Sequence, residues 1–300
     1  MSVVFPRPLR KGDRIAIVSP SSKIDPDVVA GAVPVLRNQG WEPVVYPHAL
    51  DVCGSYAGSR ADRLSDLEKA FADPSVRAIL CSRGGYGAVH LLSSIDSELI
   101  TSDPKWVIGF SDISAIHAFM SSHGIASIHS SMCRHLRDTD GLDCDSQSLF
   151  QILWGEKPSY CVEPHKWNRE GDAVGPLLGG NLAVLSALIG TPYNMIGRKG
   201  SILFIEDIAE PIYKVERLLW QMRLAGVFES INGLIVGQFT EYRQDSNYSD
   251  MMEMIHDMTS DLNIPVVYDF PVGHVEHNLP LIESAVACLR VTGSATCLSF

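Results

Sequence analysis

The first half of the sequence alternates between short apolar segments and segments whose apolar residues recur with helical spacing. The apolar segments have the length and the β-branched content of buried strands, and polar turns follow them. They occupy residues 14–18, 42–46, 76–81 and 105–108. A repeated strand–helix order favours a parallel sheet with helices on both faces. We therefore predict an α/β fold for this half of the chain.

Three of the predicted strands run directly into loops of small and polar residues. The loops comprise residues 19–22, 83–87 and 109–112. In open parallel sheets, ligands bind outside the carboxyl ends of the strands. We therefore expect a functional site at this edge of the sheet.

Ser111 lies in the third loop, Gly109-Phe110-Ser111-Asp112, where the predicted strand turns into a helix. A serine at such a turn lies beside the first amides of the helix, which favour negative charge together with the helix dipole. The loop resembles a nucleophile elbow, although Ile113 occupies the position of the second glycine in the pattern G-x-S-x-G. Serine and aspartate at a helix start are also common N-caps, so this loop alone leaves both interpretations open.

The composition changes near the middle of the chain. Residues 155–171 mix proline, glycine and charged residues without a clear period, as linkers do. We predict an N-terminal domain over residues 1–154 and a C-terminal domain over 172–300. Further segments typical of strands lie at residues 201–205, 231–236, 266–270, 281–291 and 295–300, and a helical pattern lies at 211–224.

A nucleophilic serine requires a general base, and the second half offers partners for it at strand ends. Histidine suits this role because its ordinary pKa is about 6.5, and a carboxylate then orients the imidazole and offsets its charge. Glu206 follows one predicted strand and His274 follows another. Glu210 and Glu216 remain alternatives for the carboxylate.

His277 completes an H-x-x-H pair with His274. Such a pair is found in metal sites, but a third ligand at suitable spacing is not apparent. A polar loop histidine is therefore the favoured interpretation of His277, and the residues predict no metal site.

Composition narrows the class of partner. The net charge of −11 disfavours nucleic acids and anionic membranes as partners. No run has the length of a membrane span, and the N-terminus lacks the apolar core of a signal peptide. The seven cysteines contain no C-x-x-C pair, which predicts reduced thiols that act as small core residues. We therefore expect a cytoplasmic protein with no nucleic-acid and no membrane partner.

Short motifs spread over nearly the whole chain occur in one characteristic order. They are Lys11-Gly12-Asp13 with Val18-Ser19-Pro20-Ser21, Ser82-Arg83-Gly84-Gly85-Tyr86-Gly87, Gly109-Phe110-Ser111-Asp112, Leu178-Gly179-Gly180-Asn181-Leu182, Leu203-Phe204-Ile205-Glu206-Asp207, Glu210 with Tyr213 and Arg217, and Gly273-His274. Each motif alone is weak. In this order they resemble the LD-carboxypeptidase family of serine peptidases, which includes murein tetrapeptide carboxypeptidases and the microcin C self-immunity peptidase.

The resemblance implies a Rossmann-like N-terminal domain, a distinct C-terminal domain and a catalytic triad shared between them. The nucleophile falls on Ser111, the acid on Glu206 and the base on His274. The oxyanion hole falls on backbone amides of Asp112 and of either Gly84 or Gly85, where glycine permits close approach. No metal and no other cofactor is implied, and a homodimer is expected by resemblance only.

The implied reaction is hydrolysis of a peptide bond between an L-configured centre and a C-terminal D-amino acid. The favoured substrate is a murein tetrapeptide in cell-wall recycling, from which D-alanine is released. Hydrolysis of a microcin-type peptidyl-adenylate is the alternative, with Trp167 as a candidate to stack on adenine, and a non-catalytic muropeptide binder is a further one. The family commonly has His-Gly-Pro where this chain has His129-Ser130-Ser131, which bears on the substrate more than on the triad.

Overall fold

The computed structural model describes residues 3–300 and divides into two compact units. The first unit comprises the chain up to Lys157 together with Leu279–Ile282, and the second comprises Pro158–Asn278 with Glu283–Phe300. The strands are β1 (Arg14–Val18), β2 (Glu42–Val45), β3 (Val76–Cys81), β4 (Trp106–Gly109), β5 (Ser127–His129), β6 (Ser159–Val162), β7 (Gly171–Asn181), β8 (Ile202–Ile208), β9 (Gly233–Thr240), β10 (Val266–Val267), β11 (Leu281–Glu283), β12 (Val286–Val291) and β13 (Thr296–Ser299).

The α-helices surround these strands in both units. They are α1 (Pro26–Asn38), α2 (Arg60–Ala72), α3 (Ser97–Ser102), α4 (Ser114–Ser122), α5 (Cys133–Asp138), α6 (Cys144–Trp154), α7 (Leu182–Ser186), α8 (Ile212–Leu224) and α9 (Met251–Thr259). Among the described residues, no helix has both the length and the apolar character that crossing a membrane requires.

The first unit contains a six-stranded sheet in the order β11-β5-β4-β3-β1-β2. Pairing is parallel from β5 through to β2. Every residue of β3 and of β4 is buried, as expected for central strands that helices cover on both faces. The predicted α/β class with a parallel N-terminal sheet is confirmed.

The second unit contains a seven-stranded mixed sheet in the order β10-β9-β8-β7-β12-β13-β6. Strands β7 to β10 pair in parallel, so their carboxyl ends share one edge. Strands β12, β13 and β6 extend the sheet with antiparallel pairs. The mixed α/β character predicted for the second half is therefore confirmed.

The strand predicted over residues 281–291 is divided into two. Ser284 has a left-handed backbone with φ 67°, which turns the chain between β11 and β12. Strand β11 joins the first sheet, whereas β12 alternates between exposed and buried residues in the second. Strand-like residues on both sides of Glu283 and Ser284 concealed this division.

The interpretation of all seven cysteines as reduced core residues is wrong. Cys161 and Cys297 form a disulfide, because the register of β6 and β13 places them directly opposite each other. Their separation of 136 residues gives no local signal of this pairing. Of the free cysteines, only two are buried. Cys81 and Cys133 are buried, whereas Cys53, Cys144 and Cys288 are exposed.

Candidate active site

Ser111 occupies a sharp turn between β4 and α4. Strand β4 ends at Gly109, and residues Ser111–Ile113 form a single 3₁₀ turn before the helix. Ser111 has φ 65°, a left-handed conformation that costs a non-glycine residue roughly 1–3 kcal/mol. The N-cap positions of the 3₁₀ turn and of α4 are held by Phe110 and Ile113. The structure therefore favours the elbow interpretation of this loop over the N-cap interpretation.

Gly84 lies against the Ser111 turn. A Cβ atom at Gly84 would lie 2.8 Å from Ser111 Cβ, 3.0 Å from Ser111 Oγ and 3.3 Å from the Asp112 amide nitrogen. Gly85 instead faces Ser22, with whose side chain a Cβ atom would collide. Of the two glycines predicted for the oxyanion hole, Gly84 is thus the one beside Ser111 and the Asp112 amide.

Two buried histidines pack around the end of β4. The ring of His117 makes 2.8 Å hydrogen bonds with Ser127 Oγ and with Gly109 O. Burial lowers the pKa of His117 to about 4, so a neutral ring donates to the Gly109 carbonyl. His129 packs its ring 5.8 Å from that of Phe110, measured between centroids. Both histidines therefore help to shape the strand end that carries Ser111.

The loop that departs from the family pattern lies beside the same strand end. Ser130 N–H donates to Gly109 O at 3.0 Å, and both Ser130 and Ser131 are buried. A Gly-Pro sequence would lack the Ser131 hydroxyl and the backbone N–H at that position. The presence of Ser130-Ser131 in place of Gly-Pro thus changes the polar groups close to Gly109.

Glu206 and His274 form a buried pair in the second unit. Glu206 lies in β8 with no exposed surface, and its Oε2 is 2.7 Å from His274 Nδ1. Burial opposes protonation of His274, but the hydrogen bond and charge of Glu206, with Asp207 and Glu241 nearby, raise its pKa overall. A carboxylate that accepts the Nδ1–H bond makes Nε2 the basic nitrogen of the neutral ring. This is the orientation that a general base requires.

The backbone around Gly273 is adapted to this pair. Gly273 has φ 127°, and a Cβ atom there would lie 2.9 Å from Glu206 Cβ and 3.0 Å from its Oε2. Asn278, which is fully buried, accepts the Gly273 N–H bond at 2.9 Å through its Oδ1. The sequence analysis missed Asn278, for which the only signal was its place four residues after His274.

Asp207 connects the ends of β7 and β8. Its carboxylate accepts hydrogen bonds from Asn181 Nδ2 at 2.8 Å and from the backbone N–H groups of Ala183 and Ile208, each at 2.9 Å. Burial, followed by the charge of Glu206, raises the pKa of Asp207 to about 6. Because Asn181 is the register partner of Glu206, this network supports the strand that carries the dyad. Sequence reasoning had assigned no role to Asp207 or Asn181.

The other carboxylates considered for the acid role lie elsewhere. Glu210 forms a 2.8 Å ion pair with Lys214 one turn into α8. Glu216 lies on α8 in a half-exposed position. Only Glu206, of the three, has a hydrogen bond to His274 in the part of the chain that the structure describes.

One group in the first unit has ligand atoms close enough to hold a metal ion. His135, Asp143 and Asp145 place such atoms within 4.8 Å of one another. Asp143 already caps α6 by accepting N–H bonds from Asp145 and Ser146, and His135 Nε2 lies 2.9 Å from its Oδ1. These bonds give the group a structural role at the start of α6.

Trp167 belongs to an aromatic cluster in the second unit. Its ring stacks on His256 with a centroid distance of 4.7 Å and an interplanar angle of 3°. Lys166 Nζ lies 4.4 Å from the centroid of the same ring, and Tyr268 packs edge-on against it. A nucleobase that stacked on Trp167 would therefore compete with contacts made within the protein.

Family models cover most of both units. Residues 15–130 match the LD-carboxypeptidase N-terminal domain, and residues 174–289 match the LD-carboxypeptidase C-terminal domain. The murein tetrapeptide carboxypeptidase of Pseudomonas aeruginosa is 30% identical over 88% of this chain and 89% of its own length.

Two solved structures are also similar to this chain. The muramoyltetrapeptide carboxypeptidase of Oxalobacter formigenes has a TM-score of 0.86 at 27% identity, over 95% of this chain and 98% of its own. An MccF-like protein of Bacillus anthracis has a TM-score of 0.87 at 25% identity, over 99% of each chain.

Proposed function

Because this chain belongs to the LD-carboxypeptidase family, we propose that it is a serine peptidase that releases a C-terminal D-amino acid. The substrate we propose is a murein tetrapeptide, from which the enzyme removes D-alanine. The observation that carries the proposal is the buried hydrogen bond between Glu206 and His274 Nδ1, which prepares Nε2 to act as a base. The names of the relatives from P. aeruginosa and O. formigenes support the substrate.

The proposed reaction proceeds in two steps with Ser111 as nucleophile. His274 takes the hydroxyl proton as Ser111 Oγ bonds to the scissile carbonyl carbon, and the Glu206 carboxylate offsets the charge on the imidazolium. The C–N bond then breaks, and the D-amino acid leaves with the proton returned by His274. Water attacks the acyl-enzyme by the same route in reverse and restores Ser111.

The negative charge on the carbonyl oxygen is stabilised, in this proposal, by backbone amides beside Ser111. The Asp112 N–H is one donor, and the second comes from the glycine loop at Gly84 or Gly85. The close approach of Gly84 to Ser111 and to the Asp112 amide favours Gly84. Preorganised donors of this kind commonly contribute about 10²–10³ in rate each.

Recycling of murein fragments takes place inside the cell, so we propose a cytoplasmic enzyme. We propose a homodimer from the family resemblance alone. The structure joins Cys161 and Cys297 in a disulfide, whereas cytosolic thiols are normally reduced. A cytoplasmic location therefore predicts that this disulfide is open in the cell. Differential alkylation of the protein from rapidly acidified cells tests this directly. A fully oxidised pair would contradict a cytoplasmic location.

The decisive experiment measures D-alanine release from L-Ala-γ-D-Glu-meso-diaminopimelate-D-Ala by purified protein. The matched substrate ending in L-alanine tests the stereochemistry of the cleaved bond. Ser111→Ala should abolish release, whereas Ser102→Ala, at an exposed serine of the same unit, should retain it. Equal release from the two diastereomers would contradict the LD specificity, and equal release by Ser111→Ala would contradict the nucleophile.

Hydrolysis of a peptidyl-adenylate is the second candidate function. The similarity to the MccF-like protein of B. anthracis favours it, whereas the stacking of Trp167 on His256 does not. A non-hydrolysable aminoacyl sulfamoyl adenosine should therefore inhibit D-alanine release only weakly. Cleavage of a peptidyl-adenylate with a higher kcat/KM than the tetrapeptide would instead establish this second function.

A further inference from the structure

We propose that the Asp112 side chain is a positioning residue that holds the glycine loop of residues 84–88 against the Ser111 turn. In this role it sets the distance between the two backbone amides assigned to the oxyanion hole. The inference rests on the proposed function, because it takes Ser111 as the nucleophile. It assigns to the Asp112 carboxylate a task separate from that of its own amide.

The carboxylate of Asp112 connects three loops at the carboxyl edge of the first sheet. Asp112 is 3% exposed, and its Oδ2 accepts the Ser21 Oγ–H bond at 2.6 Å and the Ala88 N–H bond at 2.8 Å. Ser21 follows β1, Ala88 ends the glycine loop after β3, and Asp112 follows β4. One oxygen atom therefore joins the ends of three neighbouring strands.

The glycine loop depends on such contacts for its conformation. Gly85 and Gly87 have φ of 107° and 126°, values that the backbone of other residues rarely adopts. The N-terminal end of the loop is held where Ser22 N–H donates to Gly84 O at 3.3 Å, and Tyr86 N–H donates to Ser22 Oγ at 3.1 Å. Its C-terminal end is held by Asp112 at Ala88. The loop is thus fixed at both ends by residues of the other two loops.

A buried arginine connects two of the same loops from the other side. Arg63 is 3% exposed, and its Nη1 donates to Pro20 O at 2.7 Å and to Gly87 O at 2.9 Å. Its guanidinium lies 5.0 Å from the centroid of the Tyr56 ring. Arg63 also supplies positive charge near the Asp112 carboxylate, which makes burial of that carboxylate less costly.

The geometry at Gly84 leaves little tolerance for movement of the loop. A Cβ atom added to Gly84 would lie 3.0 Å from Ser111 Oγ and 3.3 Å from the Asp112 amide nitrogen. Oxyanion donors act only when they lie about 2.7–3.1 Å from the developing charge. A loop that moved by one ångström would thus lose transition-state stabilisation while the peptide still bound. Loss of the Asp112 tether should therefore lower kcat and leave KM nearly unchanged.

The test compares Asp112→Ala with Asp112→Asn in the full-length protein. Both bonds are accepted by one oxygen, so the amide oxygen of asparagine can replace it, whereas alanine removes both bonds. Two rates are measured: phosphonylation of Ser111 by a fluorophosphonate probe, and D-alanine release with its kcat and KM. Ser21→Ala, which removes one of the two bonds, is the third variant, and thermal unfolding confirms that each variant is folded.

We expect Asp112→Ala to lower both the phosphonylation rate and kcat by about 10²-fold with KM within about two-fold. Asp112→Asn should keep most of both rates, and Ser21→Ala should lie between alanine and wild type. Equal phosphonylation of wild type and the folded Asp112→Ala or Ser21→Ala variant would overturn the inference. An asparagine variant as slow as alanine would also overturn it, since charge rather than positioning would then matter.

The two readouts separate this inference from the proposed function. Fluorophosphonates react with an activated serine whatever peptide the enzyme cleaves. A wild-type protein that is phosphonylated on Ser111 but releases no D-alanine would contradict the proposed substrate. In that case, the ratio of the phosphonylation rates of wild type and Asp112→Ala would still decide the role of Asp112.

Discussion

Glu206 Oε2 lies 2.7 Å from His274 Nδ1, and a glycine immediately before the histidine leaves room for the carboxylate. The pair lies at the edge of the second sheet where the parallel strands end, although 68 residues separate its members in the chain. Its hydrogen bond raises the pKa of His274 against the opposing effect of burial.

Replacement of Glu206 by glutamine should move the acidic limb of the pH–rate profile to lower pH. His274 acts as a base only when neutral, so wild-type kcat/KM is lost as the pH falls through its raised pKa. Glutamine removes the charge that favours imidazolium, so the pKa of His274 should fall. The glutamine amide can also donate an N–H to Nδ1, which favours the wrong tautomer of the ring, and kcat should drop by about 10²–10⁴. An acidic limb at the wild-type pH in Glu206→Gln would contradict this role.

Gly273→Ala should inactivate the enzyme through a steric effect on Glu206. The new Cβ atom would lie 3.0 Å from Glu206 Oε2, and the neighbouring backbone at Gln238 O is only 3.2 Å away. Gly226→Ala is the matched control in the same unit, since its φ is also positive at 73° and a Cβ atom there meets no described atom within 4 Å. Both variants should lose about 1 kcal/mol from backbone strain. Only Gly273→Ala should lose kcat, by about 10²-fold or more.

Comparable kcat values for the two alanine variants would show that the Glu206 carboxylate tolerates displacement. Unfolding midpoints measured on the same samples separate the effect on catalysis from the effect on stability. We expect the lower midpoint for Gly273→Ala, because its Cβ atom also lies 2.9 Å from Glu206 Cβ, whereas the one at Gly226 meets no described atom within 4 Å.

Asp207 should make the protein less stable as the pH rises from the pKa of its unfolded form to the higher pKa of its folded form. Its pKa is 3.8 in the unfolded reference and about 6 when folded, so the folded state binds the proton more tightly. The free energy of unfolding should therefore fall between about pH 4 and pH 6, by up to roughly 3 kcal/mol from this group. Asp207→Asn should flatten this part of the profile, measured by urea unfolding at half-unit pH steps.

A wild-type profile as flat as that of Asp207→Asn over this pH range would contradict the raised pKa. The asparagine variant should also be less stable at every pH. Its side chain has one oxygen, whereas Asp207 uses both to accept bonds, Oδ1 from Asn181 and Ile208 and Oδ2 from Ala183.

The parts of the fold that depend on local pattern were predictable from the sequence. Strand β1 and strand β3 have the bounds that their apolar runs indicate, and the helix at α8 begins one residue from its predicted start. Helix α1 begins at Pro26 and continues through Pro34. Local patterns of this kind operate over about one element of secondary structure.

Contacts between distant segments were not predictable in the same way. The choice between Gly84 and Gly85 depends on which of them faces Ser111, and no spacing in the sequence encodes this. The bond from Ser21 to Asp112 joins residues 91 positions apart. The division of the predicted strand at Ser284 depends on which sheet has an open edge for β11. Such features become visible only once strand order and register are known.

Ser111→Gly should be more stable than Ser111→Ala, although both are inactive. Ser111 has φ 65°, a conformation that strains any residue with a Cβ atom and that glycine adopts freely. At a residue within the helix, where φ is negative, glycine would be the less stable of the two because it loses more backbone entropy on folding. Relief of strain at Ser111 should outweigh that loss and leave glycine ahead by about 1 kcal/mol. Urea unfolding of the two variants under one condition gives this difference directly, and a more stable alanine variant would show that the elbow is unstrained.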